Sequence, residues 1–164
     1  EHGIPWYLGR SPWKRVIHIT SSDPLSNAYD TAVATTLAEN ERHAQVFPNC
    51  QPWFKKGWSG LSGRYLTASD GKDPSFKAYG IDAKILGSGA DLIILDDPVD
   101  QHQERSEVEM LKIKSLFDAT QENRVNPGGH VAFLGHRWGP NDFLQHLIES
   151  WGFCWLNLPA LTEA

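Results

Sequence analysis

The hydrophobic pattern is clearest between positions 91 and 98, which read Asp-Leu-Ile-Ile-Leu-Asp-Asp-Pro. Four consecutive Leu and Ile residues are typical of a strand that is buried on both faces of a parallel sheet. Two carboxylates, Asp96 and Asp97, follow this strand directly. Because open α/β sheets bind their ligands at the carboxyl ends of the strands, the pattern predicts an acidic ligand-binding edge.

The rest of the chain alternates between strand-like and helix-like patterns. The β-branched run at 16–20 predicts a strand, and apolar residues at helical spacing predict a helix from the turn at 21–24 to about Asn40. Weaker patterns predict helices at 103–119 and 140–151, a turn at 126–129, and strands at 64–69, 75–81, 130–135 and 153–158. This alternation predicts an α/β fold, a three-layer sandwich with a mainly parallel sheet, in which residues 48–90 form a hairpin or loop region that decorates the core.

Composition narrows the class of protein. With 164 residues and 40% hydrophobic content the chain can bury one core, so we expect a single domain over 1–164. Cys50 and Cys154 belong to no C-x-x-C motif, which favours reduced structural thiols. No apolar run approaches the ~20 residues of a membrane span, so we expect a soluble intracellular protein without a membrane partner. Because the chain starts at Glu1 and holds one methionine, we expect a piece of a longer protein.

The charge distribution leaves two interpretations open. A net charge of −5 argues against a dedicated nucleic-acid clamp, since such domains usually carry a basic excess. Between positions 50 and 85, however, six basic residues face three acids, whereas 91–109 is strongly acidic. This polarity fits either two solvated faces of opposite sign or a basic flank that contacts a phosphate backbone beside an acidic metal site.

The acidic edge is the leading candidate for chemistry. In phosphoryl-transfer sites one carboxylate helps to hold Mg²⁺ and a neighbouring acid orients or deprotonates the attacking water, roles that suit Asp96 and Asp97 respectively. His136 and Arg137 follow the next predicted strand, where they can bind a terminal phosphate or stabilise transferred charge. Each motif also has a structural interpretation, because Asp-Asp-Pro is an ordinary exit from a strand and Arg137 can stack on Trp138.

One phosphate-binding motif is absent. The P-loop pattern G-x-x-x-x-G-K-[ST] does not occur, and the only Gly-Lys pair, Gly71-Lys72, is followed by Asp73. The 164 residues therefore lack the usual cradle for a triphosphate.

Taken in order, these motifs resemble the ATPase domain of the bacteriophage terminase large subunit, the motor that drives DNA into the procapsid. The resemblance covers nearly the whole chain and depends most on the block at 87–99 and on the Gly-His-Arg-Trp tip at 135–138. Further support comes from the Pro-Trp-Tyr-Leu-Gly-Arg-Ser-Pro opening at 5–12, the Ser-Ser-Asp turn at 21–23, Ser106, Arg124, Asp142 and the closing Leu-Asn-Leu-Pro-Ala at 156–160.

The resemblance implies a P-loop NTPase (ASCE-like) core that lacks its first strand and its P-loop. Asp96 would be the Walker B acid that associates with Mg²⁺ and takes part in binding ATP. Asp97 would be the catalytic acid, which is glutamate in many relatives, and His136 and Arg137 would couple hydrolysis to movement. The resemblance also implies that the Walker A loop lies upstream of position 5 and that a nuclease domain follows the last strand, both outside these residues.

The implied function is ATP hydrolysis that drives double-stranded DNA into the procapsid, with the isolated 164 residues inactive. Implied partners in the host cytoplasm are DNA, the portal protein, the small terminase subunit and further copies in a homo-oligomeric ring. Two alternatives remain open. One is a metal-dependent nuclease in which Asp96 and Asp97 bind the metal, with Asp23 as a third candidate ligand. The other is an inactive prophage remnant or assembly module that binds a partner through its tryptophan-rich surface.

Overall fold

The computed structural model describes residues 2–69, 71–83, 88–99, 106–139 and 141–156. The helices in these ranges are α1 (Gly3–Arg10), α2 (Asp23–Glu39), α3 (Glu41–Val46), α4 (Glu107–Arg124) and α5 (Phe143–Trp151). The strands are β1 (Val16–Thr20), β2 (Trp58–Ser59), β3 (Gly63–Arg64), β4 (Phe76–Gly80), β5 (Ala90–Asp96) and β6 (Val125–Leu134).

The described strands form one sheet in the order β2-β3-β4-β1-β5-β6. Strands β4, β1, β5 and β6 are parallel, whereas β2 and β3 pair antiparallel at one edge. β1 lies inside the sheet, and all five of its residues are buried. Its first residue, Val16, pairs with Phe76 of β4 and with Leu92 of β5, which lie far along the chain. The predicted α/β class with a mainly parallel sheet is confirmed.

Helices cover both faces of the sheet, an arrangement compatible with the expected three-layer sandwich. On one face, α4 and α5 pack on the sheet through a core that includes Ile93, Leu95, Ile113, Phe117 and Leu147. On the other face, α1 and α2 pack on the sheet through a core that includes Ile4, Leu8, Val16, Val33, Leu37 and Phe76.

The region 48–90 does more than decorate the core. Its strand β4 pairs with β1 in parallel register inside the sheet, and Phe76 at its start is fully buried. The predicted strand at 64–69 is wrong, since β3 covers only two residues and the chain beyond it makes one isolated bridge, from Leu66 to Pro52. The backbone N–H of Leu66 donates to the hydroxyl of Ser75 (3.1 Å) rather than to a strand. The decorating element is the short β2–β3 hairpin.

α4 ends later than the pattern predicts. The hydroxyl of Ser106 accepts a hydrogen bond from a backbone N–H of the first turn (3.3 Å), and the helix continues to Arg124 instead of ending at 119. Residues 103–105 of the predicted helix lie outside the described ranges. The predicted apolar stripe is buried and consists of Met110, Ile113 and Phe117.

The predicted turn at 126–129 is part of the ten-residue strand β6. Gly128 nevertheless has a φ of 75°, and the pairing with β5 is irregular between Ala90 and Leu92. Because glycine adopts positive φ at little cost, the strand continues through an irregularity where the composition predicts a turn.

The C-terminal elements are shorter than predicted. α5 begins at Phe143 and not at Pro140, which itself lies outside the described ranges. As predicted, the helix stops at Gly152, which is its C-cap and has a φ of 66°. Residues 153–156 form no strand, so the predicted last strand is wrong over that part, and 157–158 lie outside the described residues.

The two edges of the sheet are covered differently. At one edge, the β2–β3 hairpin is fastened to α2 by an ion pair between Arg64 and Asp30, whose side chains are 12% and 6% exposed. Along β6, by contrast, no further strand pairs with the outer edge within the described part of the chain. A groove lined by residues of β6, α5 and the segment 153–156 follows this second edge.

Candidate functional site

The side chain of Asp96 lies at the carboxyl end of β5, next to a histidine from the neighbouring strand. Nε2 of His18 on β1 is 3.4 Å from Oδ2 of Asp96. The histidine side chain is 3% exposed, whereas the aspartate side chain is 27% exposed. Asp96 therefore has one side toward solvent and one side against a buried imidazole.

His18 is held in place by its surroundings. Its ring meets the ring of Tyr29 from α2 edge to face, with centroids 4.9 Å apart. Burial lowers the pKa of His18, and the charge and hydrogen bonding of Asp96 act in the opposite direction. The net direction is downward, and the Nε2 side of the ring faces Asp96. Its Nδ1 is buried and has no hydrogen-bond partner among the described residues.

Asp97, the residue that follows β5, contacts the end of β6. It has a φ of 41°, in the left-handed region, where aspartate and asparagine are tolerated better than most residues. Its backbone N–H donates to the carbonyl of Leu134 (2.9 Å), which extends the contact between β5 and β6 by one residue. Asp97 borders a small cavity together with Gly135, His136 and Trp138.

The structure thus brings two of the predicted catalytic residues together. Asp97 and His136 line the same cavity, which is closed on the α5 side by Phe143 and Leu144. This juxtaposition follows from the parallel pairing of β5 with β6, because both residues lie just past the ends of these strands.

The side chain of Arg137 contacts α5 and Trp155. Its guanidinium donates to Oε1 of Gln145 on α5 (2.6 Å) and lies 5.5 Å from the ring centroid of Trp155. It lines the groove along β6 and not the cavity that Asp97 borders. In this conformation Arg137 binds α5 and the 153–156 segment.

The loop after β6 is fixed by Asp142, a fully buried residue that caps α5. Its Oδ2 accepts hydrogen bonds from the backbone N–H groups of Trp138 (2.9 Å) and Gly139 (3.2 Å). Its Oδ1 accepts from the backbone N–H of Gln145 (2.8 Å) in the first turn of the helix. One carboxylate therefore connects the loop that carries His136 to the start of α5.

Asp23, the third candidate metal ligand of the nuclease hypothesis, has a structural contact. Its Oδ1 accepts a hydrogen bond from the backbone N–H of Gly80 (3.2 Å), which joins the end of β4 to the start of α2. Among the described residues, no group of three or more His, Cys, Asp or Glu side chains is arranged to hold a metal ion.

Three basic residues of the region 50–85, namely Lys56, Arg64 and Lys77, contact other parts of the protein, and Lys84 lies outside the described residues. Lys56 donates to the carbonyl of Gly71 and lies over the rings of Trp53 and Tyr65, 5.0 and 4.9 Å from their centroids. Lys77 donates to a loop carbonyl (2.8 Å). These side chains stabilise the hairpin region, and the exposed Lys55 and Lys72 remain for an external anion.

His18 and Asp142 have site contacts that the motif analysis did not assign. A weak signal for His18 exists in the sequence, because it is the one titratable residue in the β-branched run at 16–20. Asp142 stands just before the apolar positions of a predicted helix, which is the usual place of a capping residue.

No family model matches the chain, and no match is found among curated proteins. None of the helices within the described ranges has the length and apolar content that a membrane crossing requires.

Proposed function

We propose that this chain carries the Walker B half of an ATP-driven DNA-packaging motor of the terminase large-subunit type. The observation that supports the proposal best is the carboxyl edge of β5, where Asp96 ends a parallel strand and Asp97 shares a cavity with His136. Adjacent carboxylates at the end of a parallel strand, beside a polar tip on the next strand, suit phosphoryl transfer.

The two carboxylates suit different roles. Mg²⁺ is generally held by one or two carboxylates together with substrate phosphates, so the partly exposed Asp96 suits a cation site that a nucleotide completes. Asp97 would orient the attacking water, with His136 near the same position. When bound, ATP and Mg²⁺ supply the transferred phosphoryl group and the cation that neutralises its charge.

The edge along β6 supports the second half of the proposal. β4 is already paired on both sides, so among the described strands only β6 offers a free parallel edge. A strand that carries a P-loop and pairs there would present the loop at the same carboxyl edge as Asp96 and Asp97. DNA, the portal protein, the small terminase subunit and a ring of copies in the host cytoplasm are the partners that this proposal implies.

The test compares the 164-residue chain with a version extended upstream through the expected P-loop. We expect ATP hydrolysis from the extended chain only. In that chain, Asp97→Asn should lower turnover by about 100-fold or more, because asparagine keeps the left-handed backbone but cannot accept a proton. Asp82→Asn is the matched control, since Asp82 is 62% exposed and its carboxylate pairs with Lys112 of α4, and turnover should not change.

Two results would contradict the proposal. One is hydrolysis by the 164 residues at the rate of the extended chain. The other is a coding sequence that contains no G-x-x-x-x-G-K-[ST] pattern upstream of these residues, which would favour an inactive remnant. Cleavage of plasmid DNA by the chain itself with Mg²⁺ or Mn²⁺ would favour the nuclease hypothesis instead.

A further inference from the structure

We propose that His18 is a positioning residue for Asp96, and that it holds this carboxylate in the orientation that a cation at the end of β5 requires. The inference rests on the proposed function for its catalytic consequence, but the pairing itself is a property of the described chain.

The strand register places the two side chains on the same face of the sheet. His18 pairs with Ile94 of β5, and Asp96 lies two residues further along that strand, where side chains return to the same face. The imidazole therefore meets the carboxylate from the interior of the sheet, at the last position before β5 ends.

Burial makes the histidine the fixed member of the pair. β1 is hydrogen bonded on both sides, His18 is 2% exposed, and the ring of Tyr29 contacts the imidazole from α2. Asp96 is more exposed and lies at the end of its strand. The carboxylate is thus the group whose rotamer needs support, and the buried ring supplies it.

The chemistry of the donor matters. A lysine or arginine at position 18 would bring a long, flexible side chain to Asp96. The short, rigid imidazole can instead donate a ring N–H to one carboxylate oxygen from a fixed position, which orients the other oxygen toward a cation. The Nε2–Oδ2 distance of 3.4 Å is long for a hydrogen bond, and contacts of this kind often shorten when the ligand is present.

The first test uses nuclear magnetic resonance of the chain itself. Nitrogen shifts of His18 should show a proton on Nε2, the nitrogen that faces Asp96, and Asp96→Asn should change these shifts. A ring that carries its proton on Nδ1 in the unsubstituted chain would overturn the proposal, whatever the outcome for ATP hydrolysis. This arm separates failure of the pairing from failure of the proposed function.

The second test measures turnover against Mg²⁺ concentration in the upstream-extended chain. We expect His18→Leu, which removes the donor, to raise the Mg²⁺ concentration for half-maximal turnover by about 10- to 100-fold, with a smaller effect on the KM for ATP. His18→Gln, which restores an N–H donor, should stay within about threefold of the unsubstituted chain.

Val16→Ala is the control for general damage to β1, because Val16 is buried on the same face but lies at the amino end of the strand, away from Asp96. It should lower the melting temperature and leave the Mg²⁺ dependence unchanged. If His18→Leu and His18→Gln lower stability alike and neither changes the Mg²⁺ dependence, His18 is only structural and the proposal is wrong.

Discussion

The β4 side and the β6 side of the sheet differ in how completely they are covered. On the β4 side a hairpin and α2 cover the strand, and the Asp30–Arg64 ion pair fastens them together. On the β6 side no further described strand pairs with the outer edge, and exposed apolar residues beside it include Leu134 at 55%, Trp155 at 53% and Leu156 at 77%. Exposed apolar surface beside a strand with one unpaired edge is typical of a surface that another segment covers.

The candidate site lies at the boundary between these two sides. Asp96 is supported from the covered side by His18, whereas Asp97 borders a cavity on the β6 side with His136. The covered side therefore holds Asp96 in place through His18. The β6 side is where we expect a further element to pack and complete the site. Four predictions test this comparison.

The largest difference should appear in thiol reactivity. Cys50, on the covered side, is 1% exposed, and burial raises its pKa to about 12. At pH 8 only about one Cys50 in 10,000 is then a thiolate, and that fraction rises about tenfold per pH unit. Cys154, which is exposed and lines the groove along β6, should react first with a thiol reagent in the native protein.

Mass spectrometry of the alkylated protein identifies which cysteine is modified. Cys154→Ser should abolish the fast phase, and Cys50 should react only after unfolding. Equal labelling of the two cysteines under native conditions would show that the covered side opens readily.

Loss of the buried ion pair should have the next largest effect. Asp30→Ala leaves the guanidinium of Arg64 buried without its partner, which should lower the free energy of unfolding by about 3–5 kcal/mol. The exposed pair of Lys112 with Asp82 is the control, since both side chains are 62% exposed. Asp82→Ala should cost less than about 1 kcal/mol in urea denaturation. Similar losses for the two variants would contradict the contrast in burial.

Two alanines on the same face of the sheet probe its coverage directly. Ala78 on β4 pairs with His18 and packs against the core beneath α2, whereas Ala132 on β6 pairs with Ile94 and lines the groove. Ala78→Lys should lower the free energy of unfolding by about 3 kcal/mol through overpacking and burial of charge. Ala132→Lys should change it by less than about 0.5 kcal/mol.

Ala132→Lys also tests the proposed function. In the upstream-extended chain, Ala132→Lys should abolish ATP turnover, because it would obstruct an element that packs beside β6. Full activity of this variant, with unchanged stability, would mean that nothing packs over Ala132.

The smallest of the four effects concerns the cap of α5. Asp142→Ala removes the acceptor of three backbone N–H groups and should lower the free energy of unfolding by about 2 kcal/mol. Asp142→Asn keeps an acceptor oxygen and should cost less. Hydrogen exchange at the amides of Trp138 and Gly139 should accelerate in the alanine variant, and unchanged exchange would show that the loop is held by other contacts.

The sequence was sufficient for those parts of the fold that depend on local patterns. The apolar run of β5, the β-branched run of β1 and the helical apolar spacing of α2 are continuous signals, and they predict each element nearly at its observed bounds. β4 was predicted as a strand but not as part of the core, because pairing with β1 is decided by residues 60 positions away. Local propensity does not encode such a partner.

The candidate site, too, could be predicted only where it depends on local sequence patterns. Asp96 and Asp97 follow a recognisable strand, and the proximity of His136 follows from two adjacent parallel strands. The contact between His18 and Asp96 could not be predicted, because it requires knowing that β1 and β5 are neighbours and share a register. The left-handed backbone of Asp97 and the contact between Arg137 and Gln145 likewise depend on the surrounding fold.

The position of β1 inside the sheet also constrains the order in which a ribosome can assemble the fold. Val16 leaves the ribosome 76 residues before its partner Leu92, and 60 residues before Phe76. At about 5 to 20 residues per second, the 60-residue interval is about 3 to 12 seconds, during which β1 has neither neighbouring strand. A nascent chain therefore presents the segment Val16–Thr20, buried on both faces in the folded protein, to chaperones and to other chains before it can be covered.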